Sequence, residues 1–182
     1  SKSASELGYN CLVILPDYQG YGNTRYQAHP YLAQEITARQ SVDALRYGIE
    51  LYKKSKKGRA KIRDGWKTIC VGYSQGGSVA MACHRFMETN FLDKDLHLGG
   101  SVCGDGPYDP IATMKFSVEE DKVFMPVAIP LILKGMLDNN PYMRRHKAKD
   151  YFTEKFLKTG ILDWIELKEQ NVLDIQKALR KF

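Results

Sequence analysis

Gly72-Tyr73-Ser74-Gln75-Gly76 has the form G-x-S-x-G, and a further glycine follows at Gly77. A serine hydroxyl is a weak nucleophile. It acts only where a substrate carbonyl can reach it and a base can take its proton. This spacing supplies the access. Small residues around the serine let a strand and a helix approach closely, so the serine sits in a sharp turn with its Oγ lifted out of a sheet. The chemistry such a turn serves is acyl transfer. Ser74 attacks the carbonyl, and the N–H of Gln75, at the start of the helix, stabilises the oxyanion. The positive end of the helix dipole adds to that stabilisation. The plain alternative is a glycine-rich turn carrying a structural serine.

The turn needs a strand before it and a helix after it. Lys67 to Gly72 is a short apolar run that reads as a buried strand. Gln75 to Asn90 reads as a helix with Val79, Ala80, Cys83 and Phe86 on one side. Cys11 to Pro16 reads as an earlier buried strand, and Leu98 to Cys103 as a later one. Between the first two strands, Pro30 to about Ser55 is helical, with Leu32, Ile36, Val42, Leu45, Ile49 and Tyr52 recurring at three-to-seven spacing and polar residues between them. Pro30 suits its first turn. Strands alternating with helices predict βαβ units and a mostly parallel sheet. From Pro110 onward the pattern is helical only. Ile161, Leu162, Ile165 and Leu167 form one stripe, and Val172, Ile175 and Leu179 another. The chain thus divides into an α/β part, residues 1–109, and a helical part, residues 110–182.

Upstream, Asp17-Tyr18-Gln19-Gly20-Tyr21-Gly22-Asn23-Thr24 has the form D-x-x-G-x-G-x-S/T at the end of a strand. With the serine turn, this loop resembles the α/β-hydrolase superfamily. His29-Pro30-Tyr31 and Gly106-Pro107-Tyr108-Asp109-Pro110 resemble its secretory lipase and related esterase branch more narrowly. The resemblance covers roughly residues 9–110. It implies a partial α/β-hydrolase fold followed by a helical cap or lid, and a serine hydrolase of carboxylic esters that uses no cofactor. It also implies export from the cell. The catalytic residue would be Ser74, the oxyanion donor Gln75, and the elbow glycines Gly72, Gly76 and Gly77. A peptidase of the prolyl-oligopeptidase kind is the nearest enzymatic alternative. A non-catalytic hydrolase-fold fragment acting as a binding module is the other.

A serine nucleophile also needs a histidine and an orienting acid, in the order Ser, Asp or Glu, His. After Ser74 the chain offers His84, His97 and His146. His84 lies on the helix leaving the turn, His97 before the third strand, and His146 in a basic helix end. None is placed to serve. His29 precedes the serine, and its His-Pro-Tyr context implies a structural or pocket-wall role. Asp105 and Asp109, after the third strand, are the candidate acids. Tyr18, Tyr73 and Tyr108 are candidate pocket walls or packed aromatics. In the α/β-hydrolase sheet a further strand separates Cys11–Pro16 from Lys67–Gly72, and its loop gives the second oxyanion N–H. The chain, which opens with Ser1, therefore reads as a central piece of a larger hydrolase. Its missing strands, histidine and acid would come from the rest of the protein or another chain.

Composition sets the outer limits. The chain has 182 residues, 43% hydrophobic and 26% charged, as in an ordinary globular protein. Disordered, collagen-like and disulfide-dense classes are excluded. The net charge is +6, with much of it in the run Lys53 to Arg63. That run reads as a solvated loop, since no nucleic-acid-binding signature accompanies it. No apolar stretch is long enough to span a membrane, and Val123 to Leu137 is broken by Pro126, Pro130 and Lys134. Its apolar part, Phe124 to Leu133, reads as a packed core segment or as a lid lining an acyl pocket. Cys11, Cys70, Cys83 and Cys103 lack metal-ligand spacing and read as buried free thiols. Gly20-Tyr21-Gly22 lacks the third glycine of a dinucleotide site.

Overall fold

Thr68–Tyr73 forms strand β1 and Leu98–Gly104 forms strand β2, paired in parallel. These positions come from a computed structural model that describes residues 8, 10–55, 62–120, 123, 125–168 and 170–181. Parallel neighbours need a crossover, and here it is helix α2, Gln75–Thr89. Helix α1, Gln34–Lys54, precedes β1. After β2 come α3 (Pro110–Glu119), α4 (Ala128–Asn139), α5 (Glu154–Leu157), α6 (Ile161–Leu167) and α7 (Val172–Leu179). The architecture is mixed α/β, with a two-stranded parallel sheet among the described residues. Residues 56–61, the middle of the Lys53–Arg63 run, and Phe124 lie outside the described residues.

The helical periodicity explains the packing. Val79, Cys83 and Met87 fall four apart along α2 and are buried against Ala38 and Val42 of α1, with Leu96 closing the cluster. Cys70 of β1 and Leu98 of β2 pack on the same cluster, so α2 covers one face of the sheet and α1 packs on α2. A second cluster joins Val127, just before α4, with Phe156, Ile161 and Ile175 of the C-terminal helices. The Ile161–Leu167 and Val172–Leu179 stripes are helices, and each buries one isoleucine there.

The opposite sheet face is bare. Ile69, Val71 and Tyr73 alternate along β1, with Val102 opposite Val71, and all four are half or more exposed. Cys11 to Pro16, expected as a third strand, forms no ladder. Leu12, Val13 and Leu15 are exposed. A buried strand exists only between partners that satisfy its backbone. Among the described residues β1 has a partner on the β2 side alone. The segment is held instead by side chains. Ile14 sits where a Cβ on Gly48 would meet its Cδ1 at 2.9 Å, and Tyr18 packs on the first cluster.

Helix α1 begins at Gln34, four residues later than Pro30. Leu32 takes a left-handed φ of 59°, which no helix can pass through, and Ala33 precedes the first turn. Of the cysteines, Cys83 is buried, Cys70 and Cys103 are half-buried and Cys11 is exposed; all are free. Among the described residues no helix is long and apolar enough to cross a membrane.

Candidate functional site

Ser74 separates β1 from α2 with φ 54° and ψ −123°. An L-residue in that region is strained by about 1–3 kcal/mol and persists only where its surroundings over-determine it. Three contacts do so. The Ser74 N–H donates to Gly104 O of β2 at 2.8 Å, and Ser74 O accepts from Gly77 N at 2.9 Å and Ser78 N at 3.3 Å. The side chain is left free of the capping bond usual for a serine in this place and is exposed.

The glycines act unequally. A Cβ on Gly72 would overlap the backbone carbonyl of Gly76, and one on Gly77 would stand 2.6 Å from Gly104 O. Both allow strand and helix to meet. A Cβ on Gly76 would meet nothing within 4 Å. Gly76 contributes its backbone to the close approach, and its lack of a side chain is not required by packing.

Gln75 opens α2, where the first N–H groups have no acceptor within the helix. Its carbonyl accepts from the Ser78 hydroxyl at 2.8 Å. Its side-chain Nε2 lies 2.7 Å from His29 Nε2. His29 Nδ1 lies 2.8 Å from Gln19 O. A carbonyl only accepts, so Nδ1 carries the proton and Nε2 accepts from the Gln75 amide. Burial lowers the His29 pKa; its bonds to Gln19 and Gln75 act the other way without overcoming it, and Lys168 lowers it further. The ring is therefore neutral, stacked on Tyr18 and edged by Tyr21 and Tyr31.

Asp105 follows β2 at the same end of the sheet as Ser74, with φ 43°. Its carboxylate accepts a long bond, 3.4 Å, from the Tyr73 hydroxyl. Asp109 Oδ1 accepts from Ala112 N at 2.9 Å, which caps α3. Tyr108 packs its ring against the elbow: its hydroxyl would meet a Cβ on Gly77 at 3.1 Å. Tyr73 stands on the bare sheet face, and Tyr18 is half-buried between the core and His29.

The other three histidines contact residues other than Ser74. His84 pairs with Glu88 at 3.4 Å, His97 lies against Trp66 with ring centroids 4.4 Å apart, and His146 Nδ1 meets the Tyr151 hydroxyl at 3.0 Å. A small cavity of about 50 Å³ is lined by His29 with Tyr21, Tyr31, Leu131, Lys134 and Glu166. Among the described residues no three His, Cys, Asp or Glu side chains gather to hold a metal ion.

The bond that reaches the elbow from outside it, from His29 backed by Gln19, carries no spacing signal. Only the tertiary structure brings His29 across 46 residues to Gln75. No protein-family model, curated protein or solved structure matches the chain.

Proposed function

We propose that this protein is a serine hydrolase of carboxylic esters, of lipase or esterase type, on an α/β-hydrolase core with a helical cap. The observation that carries the reading is the backbone of Ser74: φ 54° and ψ −123° at a strand-to-helix turn, with the side chain exposed. A serine that only closed a turn would relieve this strain or spend its hydroxyl on a cap.

The chemistry follows from that geometry. Ser74 Oγ attacks the ester carbonyl carbon and its proton passes to a base. The carbonyl oxygen becomes an oxyanion that accepts from the Gln75 N–H. The intermediate collapses, the alcohol leaves with the proton, and the acyl group stays on Ser74. Water then attacks the acyl group, the acid is released and Ser74 regains its proton.

Among the described residues none of the four histidines is hydrogen-bonded to Ser74, so we assign the base and its acid to residues outside these 182. Further sequence of the protein, or another chain, would supply them. The bare apolar face of β1 and β2 supports this, because parallel sheets bury both faces. The partners we assign are an ester or lipid substrate, with no nucleic acid.

The test is to treat the protein, as its gene encodes it, with a fluorophosphonate and map the adduct by mass spectrometry. An adduct on Ser74, absent from Ser74→Ala, is expected. A folded protein that gains none overturns the reading and leaves a binding module. A panel of acyl esters against a proline-containing peptide then separates esterase from peptidase.

A further inference from the structure

We propose that His29 is the positioning residue for the oxyanion donor, holding Gln75 so that its N–H keeps its direction while Ser74 stays strained. This rests on the esterase reading above and names a residue that reading leaves without a role.

The geometry is a chain of hydrogen bonds that ends at the elbow. Gln40 of α1 donates from Nε2 to Gln19 Oε1 at 3.1 Å. Gln19 Nε2 donates to Asn139 Oδ1 of α4 at 3.1 Å and to Ala28 O at 3.2 Å. Gln19 is thus fixed by two helices. Its carbonyl accepts from His29 Nδ1, and His29 Nε2 accepts from the Gln75 amide.

The ring cannot swing away. Tyr18 stacks on it at 6.0 Å, and Tyr21 and Tyr31 stand edge-on at 5.0 and 5.8 Å. A Cβ on Gly20 would lie 2.9 Å from the His29 backbone, so the loop is closed tightly over it. With both nitrogens committed and the ring clamped, His29 offers a fixed acceptor and no free lone pair for proton transfer. It is built to hold, and it does not serve as the base.

What it holds matters because of Ser74. A strained turn relaxes unless its neighbours are pinned. Gln75 is pinned at its carbonyl by Ser78 and at its side chain by His29. An oxyanion donor works only when aimed at where charge develops, and removing one costs about 10²–10³ in rate. Loosening the aim costs less, on the order of tenfold.

The test uses the protein as its gene encodes it, with three variants. His29→Phe keeps the ring packing and removes the acceptor. His29→Gln restores an acceptor near the position of Nε2. Gln75→Leu keeps the backbone N–H and the histidine but removes the link. The readouts are the rate of Ser74 phosphonylation, and kcat and KM for an acyl ester. His29→Phe and Gln75→Leu should each slow phosphonylation and kcat by about tenfold with KM little changed. His29→Gln should recover most of the loss. If His29→Phe does not fold, Gln75→Leu and His29→Gln carry the comparison. Folded variants that react at the wild-type rate overturn the role of His29 and leave the esterase reading standing. A wild-type protein that does not react at Ser74 overturns both.

Discussion

The backbone carbonyl of Gly76 occupies the space that a Cβ on Gly72 would need. One residue is on β1 and the other in the first turn of α2, and the turn at Ser74 is as sharp as it is because they touch. Gly72→Ala should therefore destabilise the fold by about 3 kcal/mol or more, since Gly72 is held in the β1–β2 ladder and Gly76 in the first turn of α2. Gly76→Ala meets open space and should be neutral or up to about 1 kcal/mol more stable. Urea unfolding of the two variants checks this. Equal midpoints would show that the close approach is not what the glycine is for.

Asp109 is a candidate acid by sequence and a helix cap by geometry. Asp109→Ala should cost about 1 kcal/mol of stability, and Asp109→Asn almost nothing, because asparagine caps as well as aspartate. Ser74 phosphonylation should be unchanged in Asp109→Asn. A large loss of labelling in that variant would restore Asp109 as the acid.

His29 gives the protein a pH-dependent stability with a definite sign. Burial holds its folded pKa below the ordinary value of 6.5. Below about pH 6.5 the unfolded chain takes up a proton that the folded chain refuses. The contribution of neutral His29 is complete above that pH and is lost as the pH falls. Unfolding midpoints of the wild type should drop faster between pH 7 and 5 than those of His29→Phe. Parallel profiles would mean that His29 is not held neutral.

The cysteines should react in order of exposure. Burial, and then the Cys70 thiol, push the Cys83 pKa up to about 12. At pH 8 only about one such thiol in 10⁴ is ionised, and the thiolate is the nucleophile. Iodoacetamide should modify exposed Cys11 first and reach Cys83 only after unfolding. Mass spectrometry of a time course reads the order. Early modification of Cys83 would mean that the α1–α2 core opens in the native state.

Local pattern alone reached far into this protein. A run such as Thr68 to Tyr73, closed by G-x-S-x-G and followed by apolar residues four apart, has one good arrangement, so β1, the turn and α2 were readable in advance. The Ile161 and Val172 stripes were readable for the same reason of period. What depends on partners was not. Cys11 to Pro16 has a strand's composition, yet a strand is a relation between chains of peptide groups, and no neighbour pairs with it among the described residues. Pro30 suits a helix start, yet the left-handed turn at Leu32, where His29 and Tyr31 are packed beneath Gly135 of α4, moves the start to Gln34. The bond from Gln75 to His29 is decided by tertiary packing alone, because a hydrogen bond between side chains 46 residues apart leaves no period in the sequence.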